Sequence, residues 1–146
     1  MKNNDSIAGQ RRGARAATLG LASIIALGAP TAALAGRVEA AQGWVGQYIS
    51  TKQTTMTIQS YDRRSPSDFV ISGQGRYSIY KADCVMETTN AAHCSGKGTR
   101  LEDRREYRVT YYLRRQGSHL TSDWSLIYPS TGETYSGQTR LQRVSS

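Results

Sequence analysis

The second half of the chain alternates between apolar and polar residues with a period of two, as half-buried β-strands do. The clearest example covers residues 107–114, where Tyr, Val, Tyr and Leu alternate with Arg, Thr, Tyr and Arg. A second covers residues 120–128 and places Leu, Ser, Trp, Leu and Tyr on one face. Because Gln116-Gly117 lies between them as a short turn, the pattern predicts an antiparallel hairpin.

Turn-forming residues divide the rest of the chain into further candidate strands. Residues 129–133, which include Pro and Gly, predict a reversal into a last strand from Tyr135 to Val144. The segment from Asp62 to Ser67 predicts a polar turn that contains Pro. No segment has the 3.6-residue period of an amphipathic helix. Five upstream segments are also predicted as strands: Trp44–Ser50, Thr54–Tyr61, Phe69–Ser72, Arg76–Val85 and Cys94–Leu101.

About eight short strands in a meander predict an all-β fold. We expect a small antiparallel up-and-down barrel, because closing the sheet on itself removes its exposed edges. A β-sandwich is the alternative. All the strands lie within residues 36–146, which we expect to form one domain. Nine Tyr and two Trp residues supply a core that is otherwise short of large apolar side chains.

The first 35 residues have the layout of a secretory signal peptide. Four basic residues precede an apolar segment over residues 16–27, and the small-x-small sequence Ala-Leu-Ala follows at 33–35. We therefore expect the mature chain to begin at Gly36, with a cut between Ala40 and Ala41 as the alternative. The cleavage site has no Cys and no apolar run reaches 18 residues, so we expect neither a lipid anchor nor a membrane span. The expected location is periplasmic or secreted.

Cys84 and Cys94 are the only cysteines of the chain. In an exported protein such a pair predicts a disulfide, which we expect to close a loop at one end of the barrel. The alternative is a reactive thiol site formed by His93 and Cys94. Adjacent side chains of an extended segment point to opposite faces, which argues against this alternative.

The chain is basic, with 19 Lys and Arg against 11 Asp and Glu and a formal net charge of +8. Tyr residues interleaved with Arg residues are what a nucleic-acid stacking platform needs. Export argues against nucleic acid as the partner, and part of the charge belongs to the predicted signal peptide. The same charge suits an anionic envelope surface, a polysaccharide or an acidic partner protein.

The sequence contains no catalytic motif that we recognise. His93 and His119 are its only histidines, and neither stands in a metalloprotease or serine-hydrolase motif. The acidic residues within 102–106 alternate with Arg residues, as on a solvated surface. We therefore expect a non-enzymatic binding protein without a cofactor or a metal ion.

Gly43-Trp44 opens the first predicted strand and resembles the start of calycin barrels such as lipocalins and avidins. The resemblance implies an eight-stranded barrel with a basic residue of the last strand, Arg140 or Arg143, over Trp44. If the barrel interior is an open cavity, we expect a small apolar ligand there, whereas a filled barrel would favour a partner protein. We expect inward-facing aromatic residues to contact that ligand, and they are Trp44, Tyr111 and Trp124.

Two other segments resemble periplasmic C-type lysozyme inhibitors, which are exported, disulfide-bonded eight-stranded barrels. Residues 72–77 (Ser-Gly-Gln-Gly-Arg-Tyr) and 96–101 (Gly-Lys-Gly-Thr-Arg-Leu) are similar to their Ser-Gly-x-Arg-Tyr and Lys-Gly segments. The resemblance implies that Ser72 and Lys97, with Arg76 and Tyr77 nearby, contact lysozyme from one exposed end. Lysozyme inhibition is thus an alternative function, and a secreted effector or immunogenic protein that acts on a host is another.

Overall fold

The computed structural model describes residues 35–61 and 66–146. The predicted signal peptide, up to residue 34, and most of the predicted turn at 62–67 lie outside the described residues. A short helix covers residues 35–42, and all the strands belong to one compact unit, Arg37–Ser146. No helix in the described ranges is long and apolar enough to cross a membrane.

Eight antiparallel strands form a closed barrel in chain order, each paired with the next and the last paired with the first. This confirms the predicted all-β up-and-down barrel and excludes the sandwich. The strands are β1 (Gly46–Ser50), β2 (Thr55–Ser60), β3 (Phe69–Gln74), β4 (Ser78–Thr88), β5 (Ala91–Arg100), β6 (Glu106–Gln116), β7 (His119–Ile127) and β8 (Thr134–Ser145).

The period-two pattern places one face of each strand inside the barrel. In β6 the buried side chains are Tyr107, Val109, Tyr111 and Leu113, as the alternation predicts. The helix at 35–42 was not predicted, because a segment of about two turns is too short to show a helical period. The hydrophobic pattern therefore predicts the strands of the barrel but not the short helix.

The disulfide between Cys84 and Cys94 is confirmed, but its predicted position is wrong. The two residues are direct partners in the β4–β5 ladder, with Cα atoms 4.0 Å apart and both side chains buried in the core. β5 begins at Ala91, three residues before the predicted strand start, so the bond joins two paired strands rather than closing an end loop. His93 lies outside, with Nε2 2.7 Å from Glu87 Oε1, which excludes a thiol site.

Trp44 closes one end of the barrel, which we call the base. It is fully buried and stacks on Phe69, with ring centroids 5.1 Å apart. The guanidinium of Arg115 lies 5.3 Å from the Trp44 ring and donates a hydrogen bond to the Gly43 carbonyl. Arg115 therefore holds the position that the calycin resemblance gave to Arg140 or Arg143, because the end of the long strand β6 reaches the base. Arg143 instead donates to the Val45 carbonyl.

The helix is bound to the base by a charged contact. Arg37 donates to both carboxylate oxygens of Asp68 at 3.1 and 2.6 Å, and Asp68 also accepts from the Met86 backbone N–H at 2.7 Å. Ala41 of the helix is buried in the core next to these contacts. The helix thus belongs to the folded domain and covers the base.

We expect Arg115→Gln to lower the free energy of unfolding by about 1–3 kcal/mol, because it removes the cation over Trp44 and the donor to the Gly43 carbonyl. Arg114→Gln is the matched control, since Arg114 pairs with Asp123 on the exposed surface and its loss should cost under about 1 kcal/mol. Urea denaturation followed by Trp fluorescence measures both variants. Equal losses would contradict the role given to Arg115.

Candidate binding site in the barrel cavity

The barrel is closed only at its base, because β1 is much shorter than β8. β1 pairs with β8 through residues 47–50 and 141–145, whereas β7 pairs along β8 from Thr134 to Gln142. Residues 134–140 of β8 therefore have a strand partner on one side only, within the described ranges. We call this segment the free edge and the gap beside it the seam.

A tight turn ends β1 early and so creates the seam. The Ser50 N–H donates to the Thr54 carbonyl at 2.9 Å, and the Ser50 hydroxyl accepts from the Thr54 N–H at 3.0 Å. Gln53 takes a left-handed conformation with φ 61°, which completes the reversal into β2. β1 consequently stops at Ser50, while β8 continues past it to the opposite end of the barrel.

A cavity of about 1380 Å³ fills the open half of the barrel and reaches the seam. The β1–β2 turn at 51–54, the β3–β4 turn at 75–77 and the free edge surround its mouth. The buried part of its wall is mainly aromatic and aliphatic, whereas the turns and the free edge at its mouth are mainly polar. The main wall residues are Met56, Tyr80, Tyr107, Val109, Tyr111, Ser122, Trp124, Leu126 and Leu141.

Two strand glycines make room for the aromatic wall. A Cβ on Gly137 would lie 2.6 Å from the Trp124 ring, and one on Gly98 would overlap the Tyr107 ring. Trp124 and Gly137 are direct cross-strand partners, as are Tyr107 and Gly98. The aromatic rings therefore lie flat against the sheet, so they line the cavity without filling it.

A few polar groups lie within the apolar wall. The Trp124 Nε1–H donates to the Thr139 hydroxyl at 3.2 Å, and the Tyr80 hydroxyl donates to the Thr55 carbonyl at 3.0 Å. Burial raises the pKa of Tyr80 and of Tyr111 well above the usual range, so both phenols stay neutral. The buried Ser122 hydroxyl has no hydrogen-bond partner among the described residues.

The charged residues that line the cavity are all basic. They are Lys52, Arg76 and Arg140, which we call the rim cations, and no Asp or Glu lines the cavity in the described structure. All three are exposed, and Arg76 lies over the Tyr77 ring at 5.3 Å. The rim cations give the mouth a positive potential.

Other basic residues near the mouth are neutralised, unlike the rim cations. Arg100 forms an ion pair with Asp103, and Arg105 lies within 3.4 Å of Glu133. Both guanidinium groups also stack on Tyr128. By contrast, the rim cations form no ion pair with any described residue.

The structure divides the sequence-predicted site residues between three places. Tyr111 and Trp124 line the cavity, and Arg76 and Tyr77 stand at its mouth. Trp44 lies in the sealed base and is not part of the cavity wall. The predicted ligand-contacting aromatic residues are therefore not one cluster.

Ser72 and Lys97 lie on the outer wall rather than at the mouth. Ser72 pairs with Lys81, Lys81 with Lys97 and Lys97 with Arg108, so these four residues form one row across β3 to β6, which we call the outer row. Only the ends of the two predicted segments meet, where the Leu101 N–H donates to the Tyr77 carbonyl at 2.8 Å.

Sequence reasoning missed several cavity residues. Tyr107 and Ser122 could have been assigned from the alternation, since both lie on the predicted inner faces of their strands. Lys52 and Arg140 had no such signal, because both reach the cavity mouth only where β1 ends early and leaves the seam open. Gly137 gave no local signal either, since its role is visible only opposite Trp124.

No cluster of three or more His, Cys, Asp or Glu side chains able to hold a metal ion occurs in the part of the chain that the structure describes. Comparison of the chain with protein-family models, curated proteins and solved structures finds no match. The barrel is compatible with a calycin-like fold.

Proposed function

We propose that the protein binds a small amphipathic organic anion in the barrel cavity and does not catalyse a reaction. The observation that carries the proposal is the open cavity of about 1380 Å³, with its aromatic wall and exclusively basic charged residues. Small-molecule sites combine an apolar wall with a few placed polar groups in this way. The buried disulfide fits an oxidising location, so the proposed setting is the periplasm or the extracellular space.

The wall favours a ligand body that is apolar. Tyr80 and Trp124 are half-buried and turn apolar surface to the cavity, and burying such surface is the main source of binding free energy. The chain of a fatty acid or the ring of an aromatic acid provides such an apolar body.

The rim cations favour an anionic group on the part of the ligand that stays at the mouth. Lys52, Arg76 and Arg140 attract a carboxylate or sulfonate, and no lining carboxylate opposes it. Since the rim is exposed, each contact contributes little and is weakened by salt. The cavity wall lacks His, Cys, Asp and Glu among its described residues, so we propose binding rather than general-base catalysis.

The two Trp residues provide a built-in test, because one lies in the cavity wall and the other in the sealed base. We expect laurate to change the emission of Trp124 in the Trp44→Phe variant, where Trp124 is the only Trp left in the barrel domain. In the Trp124→Phe variant the emission of Trp44 should stay constant. A spectral change confined to Trp44, or no saturable change in either variant up to millimolar laurate, would contradict cavity binding.

Rim charge is tested with laurate against its uncharged methyl ester. We expect the triple variant Lys52→Gln/Arg76→Gln/Arg140→Gln to bind laurate about 3- to 10-fold more weakly, while its affinity for the ester is unchanged. The matched control is Lys81→Gln/Lys97→Gln/Arg108→Gln, which removes the same charge from the outer row. Isothermal titration calorimetry measures the affinity of each variant for laurate and for the methyl ester. An equal loss for acid and ester, or in both triple variants, would contradict rim recognition of the anion.

A further inference from the structure

The free edge of β8 exposes an unusually long stretch of unpaired backbone. Residues 134–140 pair with β7 on one side. On the other side no described strand is hydrogen-bonded to their backbone N–H and C=O groups. All of these residues except Thr139 are exposed. An extended segment of about this length is a template for another strand.

Proteins usually protect such an edge, but this one lacks most of the usual devices. Residues 134–140 read Thr-Tyr-Ser-Gly-Gln-Thr-Arg, with no Pro and no Lys and with one charge at the end. The strand is regular there, since the β7–β8 register runs without a shift. An unprotected edge of this kind is a site where a strand of another polypeptide can add.

We propose that the seam binds an extended, acidic segment of a partner polypeptide, which adds to β8 as a ninth strand. Main-chain hydrogen bonds to residues 134–140 would supply much of the affinity, as in other cases of strand addition. This interaction goes beyond the proposed small-molecule binding and does not depend on it.

The charges beside the seam select an acidic segment over a second copy of this chain. Lys52 lies on the β1–β2 turn at one side of the seam and Arg140 on the free edge at the other. Two copies joined edge to edge would bring these uncompensated cations together, and the chain as a whole is basic. Glu or Asp side chains on the added strand would instead pair with them.

The two faces of the seam further define the segment. Side chains of a strand alternate in direction, so every second residue of the added strand would face the cavity beside Trp124 and Gly137, and the others would face solvent. The cavity wall there is apolar, whereas the rim is basic. The segment that fits has small apolar residues at alternate positions and acidic residues between them.

The test uses three synthetic seven-residue peptides with Val at the odd positions. The first has Glu at the even positions, the second has Lys there, and the third is the Glu peptide with two of its Val residues replaced by Pro, which has no N–H to donate. We expect the Glu peptide to bind and the Lys and Pro peptides to bind at least tenfold more weakly in isothermal titration. Hydrogen exchange should slow specifically at the amides of residues 134–140 when the Glu peptide is added.

Protein variants separate charge from backbone pairing. The variant Lys52→Gln/Arg140→Gln should bind the Glu peptide several-fold more weakly, and its affinity should depend less on salt. The outer-row variant Lys81→Gln/Lys97→Gln should bind the peptide with unchanged affinity. The proposal is overturned if none of the peptides binds at 1 mM, if the Pro peptide binds equally well, or if protection appears away from β8. Concentration-dependent dimers that protect residues 134–140 in sedimentation and exchange experiments would assign the seam to a second copy instead.

The outcomes also distinguish this proposal from small-molecule binding. Laurate titration of the same protein sample measures small-molecule binding in the cavity and at the rim, whereas slowed exchange at the amides of residues 134–140 measures strand addition. Laurate binding without peptide binding contradicts strand addition and supports the proposed function. Peptide binding without laurate binding contradicts the proposed function and supports strand addition.

Discussion

The short pairing of β1 with β8 decides where the barrel is closed and where it is open. It closes the sheet into a barrel, yet it involves only residues 47–50 and 141–145. Because the β1–β2 turn follows directly, the closure exists at the base and is absent toward the mouth. The sealed core, the open cavity and the free edge all result from this unequal pairing.

The base and the mouth divide stability from binding. At the base, Trp44 is buried on Phe69, covered by Arg115 and backed by a helix that Arg37 holds to Asp68. The disulfide joins the paired strands β4 and β5 within the buried core. A well-packed base of this kind allows the other end to keep unfilled space, which is unfavourable for folding but necessary for a ligand.

The cavity depends on how aromatic rings and glycines are matched across strands. Large side chains normally fill a small barrel, but Tyr107 lies over Gly98 and Trp124 over Gly137, so the rings line the wall. The chain thereby obtains its apolar surface from aromatic residues despite few large aliphatic ones. The same rings make the proposed ligand site apolar, and the rim cations give it a preference for anions.

The period-two alternation and the presence of two Cys residues were enough to predict the strands, the barrel, the disulfide pair and the inward position of Tyr111 and Trp124. The position of Arg115 over Trp44, the outer row with Ser72 and Lys97, and the place of the disulfide within paired strands are visible only in the folded barrel. Strand register and relative strand length decide which distant residues meet. Both arise from closure of the whole sheet, so no local sequence pattern records them.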